Sequence, residues 1–127
     1  MSLISTGSYA PKFSLENEHL TKLVDTSTEW IEKRTGMKRR NISAGENTSD
    51  LAYEAAKQAI ENSGVALEDI DLVLVATITP DHFTPSTASI VQGKLGIKNA
   101  VAFDLSAGCT GFVYALGVAS SMIKNGI

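Results

Sequence analysis

The chain has 127 residues, 43% of them hydrophobic and 20% charged, which is the balance of an ordinary globular domain long enough to bury a core. A net charge of −3 gives no electrostatic footprint for nucleic acid. The single cysteine excludes an intrachain disulfide and fits a reducing compartment, no apolar run reaches the ~18 residues of a membrane span, and no basic-then-apolar leader opens the chain.

In chain order, residues 3–9 predict a short strand that Pro11 ends. Asn17 is a candidate cap for a first helix running to Val24. Thr26 and Glu29 stand at capping-box spacing for a second short helix that ends near Gly36. Residues 38–43 are basic and predict a short edge strand. Ser49 is the expected cap of a clear helix whose apolar face is Leu51, Ala52, Ala55, Ala56, Ala59 and Ile60, with Gly64 as its stop. Residues 70–76 form a nearly continuous apolar run, which predicts a strand covered on both faces. A loop with two prolines, Pro80 and Pro85, follows. Residues 86–95 predict a helix stopped by Gly96, then residues 100–105 a strand and residues 111–124 a last helix. Strands alternating with helices imply parallel βαβ units in a layered α/β/α sheet.

The stretch Ala107-Gly108-Cys109-Thr110-Gly111-Phe112 joins that last strand to that last helix and holds the only thiol. A cysteine on a strand-to-helix turn meets the positive end of the helix dipole, which favours the nucleophilic thiolate. Gly108 and Gly111 let a substrate come close. The stretch is a thiol relative of the nucleophile elbow G-x-S-x-G, with Ala107 in place of its first glycine. A lone cysteine also reads as a small buried hydrophobe, and the turn leaves both readings open. The geometry expected of the nucleophile is a cap on a buried helix at the bottom of a cleft.

Trp30 and Arg34 lie four apart and so share a helix face, where a ring and a guanidinium can flank a purine or simply pack and face water. His19 and His82 read as solvated. Two isolated histidines, with no cysteine or carboxylate cluster at ligand spacing, predict no metal site. Gly93-Lys94 lacks the spacing of a phosphate loop.

Taken together, several stretches resemble the N-terminal part of β-ketoacyl-acyl-carrier-protein synthase III, a thiolase-fold condensing enzyme. They are Thr6-Gly7-Ser8-Tyr9-Ala10-Pro11, Val24-Asp25-Thr26-Ser27, Glu29-Trp30-Ile31, Arg34-Thr35-Gly36, Ala76-Thr77, Leu95-Gly96-Ile97, Ala102-Phe103-Asp104-Leu105 and the Cys109 turn, in family order over essentially the whole chain. The resemblance implies a thiolase-like fold of two similar α/β halves, with residues 1–127 forming most of the first.

The resemblance further implies that Cys109 takes an acyl group from acyl-CoA and passes it to malonyl-acyl-carrier protein with loss of carbon dioxide, starting fatty-acid synthesis. Thr26, Trp30 and Arg34 match residues that contact CoA. The family's catalytic His and Asn belong to the second half, so the 127 residues alone are expected not to condense substrates. No cofactor is implied, because the CoA thioester is a substrate. The implied protein is a cytoplasmic homodimer. Thr84 stands before Pro85, where many members carry a phenylalanine that limits the partner's acyl pocket; the smaller side chain implies a longer or branched starter. Lys38, Arg39 and Arg40 make a basic cluster that can steer an acidic carrier protein or be an ordinary solvated edge. The alternatives are another thiolase-fold condensing enzyme, of polyketide-starter or hydroxymethylglutaryl-CoA synthase type, and a non-catalytic half-domain that binds a partner or acyl-CoA.

Overall fold

A computed structural model describes residues 2–127. The chain divides into two compact units: one runs from Ala10 to Glu46, the other from Asn47 to Ile127 together with the segment up to Tyr9.

The smaller unit is built on a two-stranded antiparallel ribbon. Strand β1 (Phe13–Glu16) leads directly into a single helical turn, α1 (Asn17–Leu20); helix α2 (Thr28–Thr35) and strand β2 (Arg39–Ile42) follow. Leu15 sits opposite Arg40, and Glu16 opposite Arg39, a favourable cross-strand charge arrangement. The edge strand expected at residues 38–43 is therefore β2, and its partner β1 carries no clear sequence signal. Ile31 is buried and anchors α2.

Two expected caps shift here. Asn17 is not a cap but the first residue of α1, and it is buried. Its Nδ2 donates to the Met37 carbonyl at 2.8 Å, and its Oδ1 accepts from Arg40 Nη1 at 3.1 Å. The cap of α2 is Ser27, whose hydroxyl accepts the Trp30 amide at 3.1 Å, so Thr26 lies one residue outside the helix. Gly36 ends α2 in the left-handed region, as expected.

In the larger unit, residues 3–9 form no strand. They lie along helix α3 (Thr48–Ser63) and bond to it. Ser5 Oγ donates to the Ala59 carbonyl at 2.7 Å, Gln58 Oε1 accepts the Ser8 amide at 2.8 Å, and Asn62 Nδ2 donates to the Thr6 carbonyl at 3.1 Å. These bonds to one helix replace a ladder to another strand.

Helix α3 is capped by Asn47, not Ser49; the Asp50 carboxylate accepts the Asn47 amide at 2.8 Å. Ser49 is buried in the first turn, where Lys94 Nζ donates to its hydroxyl at 3.0 Å. Lys94 also pairs with Asp50 at 2.5 Å. That hydrogen bond, helped by the Asn47 amide, holds the Asp50 carboxyl below its ordinary value.

Strand β3 (Leu72–Ala76), helix α4 (Thr87–Leu95) and strand β4 (Val101–Leu105) make the expected parallel unit, in register from Leu72 opposite Val101 to Ala76 opposite Leu105. Ser86 caps α4 by accepting the Ser89 amide at 3.1 Å, and Gly96 ends it. Thr87, Ala88 and Val91 on α4, with Ile97 just beyond, are the core of this unit. Helix α5 (Gly111–Lys124) has the expected span and packs on β3.

Two burial expectations fail. Leu72, Val73, Leu74 and Val75 are half-buried rather than covered on both faces, because β3 lines an open groove. Nor is α5 buried: Phe112 and Val113 are each 66% exposed. No helix among the described residues is long and apolar enough to cross a membrane.

Candidate active site

Cys109 stands at the carboxyl ends of the two parallel strands. The Leu105 carbonyl accepts the Thr77 amide at 3.1 Å, so the pairing continues to the tip of the sheet. There the chain makes a short 3-10 turn over Gly108–Thr110 and enters α5. The turn starts with Gly108 at a φ of +54°, a left-handed conformation that only glycine adopts without strain. Thr110 closes the turn, with its amide at 3.3 Å and its hydroxyl at 2.9 Å from the Ala107 carbonyl.

Gly111 has a different reason to be glycine. A Cβ there would lie 3.3 Å from the Ala76 Cβ, so α5 begins hard against the end of β3. Gly111 is buried and serves packing, not the approach of a substrate. Cys109 itself is exposed and free. It does not cap α5, whose flanking residue is Thr110 with no side-chain cap. Cys109 and Gly108 line a groove of about 660 Å³ with Leu74, Val75, Val91, Phe112 and Leu116. An accessible thiol in an apolar trough beyond the carboxyl ends of parallel strands is suited to accept an acyl group.

The second constellation lies in the smaller unit. Thr26, Ser27, Trp30, Ile31 and Arg40 line a hollow of about 630 Å³ together with Leu20, Val24 and Asp25. Trp30 is 57% exposed, so it is not a core residue, and it also borders a second depression with Ser27 and Lys33. The Arg34 guanidinium lies 5.9 Å from the Trp30 ring centroid, within cation–π range. The structure thus groups Thr26, Trp30 and Arg34 around one exposed ring. Arg40 joins that hollow, a role missed when it was read only as one of three clustered basic residues. Strand alternation is the signal, since it puts Arg39 and Arg40 on opposite faces of β2.

Thr84 and Phe83 are exposed at the tip of the loop before α4. His19 and His82 are exposed, and among the described residues no three His, Cys, Asp or Glu side chains converge as a metal group. The sequence reading also passed over Asp104, whose carboxylate accepts the Thr87 amide at 2.8 Å and the Ala88 amide at 2.7 Å. Its partners are 16 and 17 residues away, beyond any local pattern.

Comparison with known proteins agrees with this geometry. The family profile of 3-oxoacyl-[acyl-carrier-protein] synthase III matches residues 103–127, which contain the Cys109 turn. The β-ketoacyl-[acyl-carrier-protein] synthase III of Clostridium perfringens (strain SM101 / Type A) is 58% identical over 124 residues, 98% of this chain and 38% of that protein. The crystal structure of 3-oxoacyl-[acyl-carrier-protein] synthase III from Aquifex aeolicus VF5 superposes with a TM-score of 0.91 at 49% identity, over 97% of this chain and 40% of that one. The synthase III structure from Thermus thermophilus gives 0.90 at 42% identity, over 99% and 39%. The chain belongs to the synthase III family, with its thiolase-like fold, and spans about two fifths of the length of the relatives it matches.

Proposed function

We propose that this chain carries the acyl-accepting part of a β-ketoacyl-acyl-carrier-protein synthase III. The observation that carries the reading is the exposed Cys109 at the carboxyl ends of β3 and β4, lining an apolar groove. The thiolate attacks the carbonyl of acyl-CoA, and the CoA thiolate leaves, taking a proton. The acyl group is held as a thioester. Malonyl-acyl-carrier protein then loses carbon dioxide, its carbanion attacks the thioester carbonyl, and the Cys109 thiolate is released with the β-ketoacyl product. Both attacks build charge on a carbonyl oxygen, which backbone amides at the Cys109 turn are suited to receive. No cofactor enters, because CoA is part of the substrate.

In this reading Thr26, Trp30 and Arg34 bind the CoA nucleotide, with the Trp30 ring as a stacking surface and Arg34 behind it. Thr84 borders the acyl site of a partner copy in a cytoplasmic homodimer. Residues 1–127 make up most of the first of two similar halves, and the His and Asn that support decarboxylation belong to the other.

The test uses the intact enzyme that carries this chain. Incubation with an acyl-CoA followed by peptide mass spectrometry should place the acyl group on Cys109, and Cys109→Ser should remove it. An undiminished adduct in the serine variant, on another residue, overturns the assignment.

A further inference from the structure

The loop between β3 and α4 is fastened at both ends and free in the middle. At its near end the Thr48 hydroxyl donates to the Thr79 carbonyl at 2.7 Å, and Asp81 Oδ1 accepts the Ser49 amide at 3.0 Å, in the first turn of α3. At its far end Asp104 Oδ2 accepts the Thr87 amide at 2.8 Å and Oδ1 the Ala88 amide at 2.7 Å, in the first turn of α4. The Ser86 hydroxyl takes the next amide, that of Ser89. Between the two fastenings His82, Phe83 and Thr84 are exposed, Phe83 completely.

Carboxylates that accept amides at a helix N-terminus make charge-assisted bonds aligned with the dipole, stronger than neutral ones. Asp81 thus ties the tip to α3. Asp104 ties it to β4, the strand that runs into the Cys109 turn five residues later. Displacing either bond moves one end of a short tip while the nucleophile stays put.

We propose that Asp81 and Asp104 are positioning residues that fix the two ends of the 82–85 tip and thereby set which acyl chain the enzyme accepts. The inference rests on the reading that the tip borders an acyl site; neither aspartate touches substrate. Pocket walls discriminate by single methylene groups, so a small displacement of the tip suffices to change preference.

The test measures kcat/KM for acetyl-CoA and for a branched five-carbon acyl-CoA on the intact enzyme, in wild type, Asp81→Ala and Asp104→Asn. The ratio of the two values should change by about threefold or more in each variant, with CoA affinity unchanged. A purely structural role would lower both values together and leave the ratio alone. Asp81 is a half-buried loop residue, so Asp81→Ala decides the matter if Asp104→Asn does not fold. An unchanged ratio in folded Asp81→Ala overturns the proposal. Thr84→Phe separates the layers: if it shifts the ratio and the aspartate variants do not, only the positioning role falls. If the aspartate variants shift it and Thr84→Phe does not, the placing of Thr84 falls and the positioning role stands. A wild-type enzyme that forms no acyl adduct on Cys109 removes the functional reading, and this inference with it.

Discussion

A Cβ on Gly7 would stand 2.1 Å from the Ala55 carbonyl oxygen and 2.6 Å from the Ala59 amide nitrogen. Both atoms belong to the backbone of α3, so neither can swing away. The segment up to Tyr9 is therefore held on α3 at a distance that only glycine permits. Gly7→Ala should destabilise the protein by about 1–3 kcal/mol, the usual cost of overpacking. Chemical denaturation measures it, and a stability equal to wild type would mean that the segment does not lie on α3.

Trp30 combines exposure with a guanidinium partner, so its loss should be felt in binding more than in folding. Stacking of a base on an aromatic ring contributes about 1–3 kcal/mol by alanine substitution. Trp30→Ala should accordingly weaken CoA binding by about tenfold or more, with little change in melting temperature. Calorimetric titration of the intact enzyme with CoA checks this. An unchanged affinity would return Trp30 to a structural role.

The pair of Asp50 and Lys94 makes part of the stability pH-dependent. Lys94 and the Asn47 amide lower the Asp50 carboxyl from its ordinary 3.8, so the native state binds fewer protons there than the unfolded chain. Its contribution is present above about 3.8 and is lost as pH falls below that value. Asp50→Asn should leave a shallower acid limb in a plot of stability against pH, and added salt should mimic part of the change. Parallel acid limbs in wild type and variant would show that the pair does not couple to folding.

The sequence spoke most clearly where structure is set locally. Ser86 and Gly96 bracket α4, and Gly111 and Lys124 bracket α5, because caps and glycines act within one turn. It misled where a polar side chain is claimed by a distant partner. Asn17 and Ser49 look like caps, yet Asn17 is used by Met37 and Arg40, and Ser49 by Asp81 and Lys94. The same holds for residues 3–9, where strand-like composition yields to hydrogen bonds with α3. At the site, the lone thiol between a strand and a helix marked Cys109, and the four-residue spacing marked Trp30 with Arg34. The exposure of α5 and the two amides held by Asp104 depend on tertiary packing, which no window of sequence contains.

Thr84 sits at the exposed tip of a loop whose two ends are fixed, so its side chain can change without disturbing the core. In the proposed dimer that tip borders the partner's acyl site, and threonine there leaves space that an aromatic ring would fill. A difference of one methylene group at such a wall alters specificity by about 1–3 kcal/mol. Thr84→Phe should therefore shift the starter preference towards acetyl-CoA and lower kcat/KM for branched or longer acyl-CoAs by about tenfold or more. Phe83 is the internal control: it is fully exposed one residue earlier, and Phe83→Ala should widen the range of starters if its ring turns into the same space. A series of acyl-CoAs from two to six carbons on the intact enzyme reads both variants. An identical chain-length profile in wild type and Thr84→Phe would place Thr84 outside the acyl site.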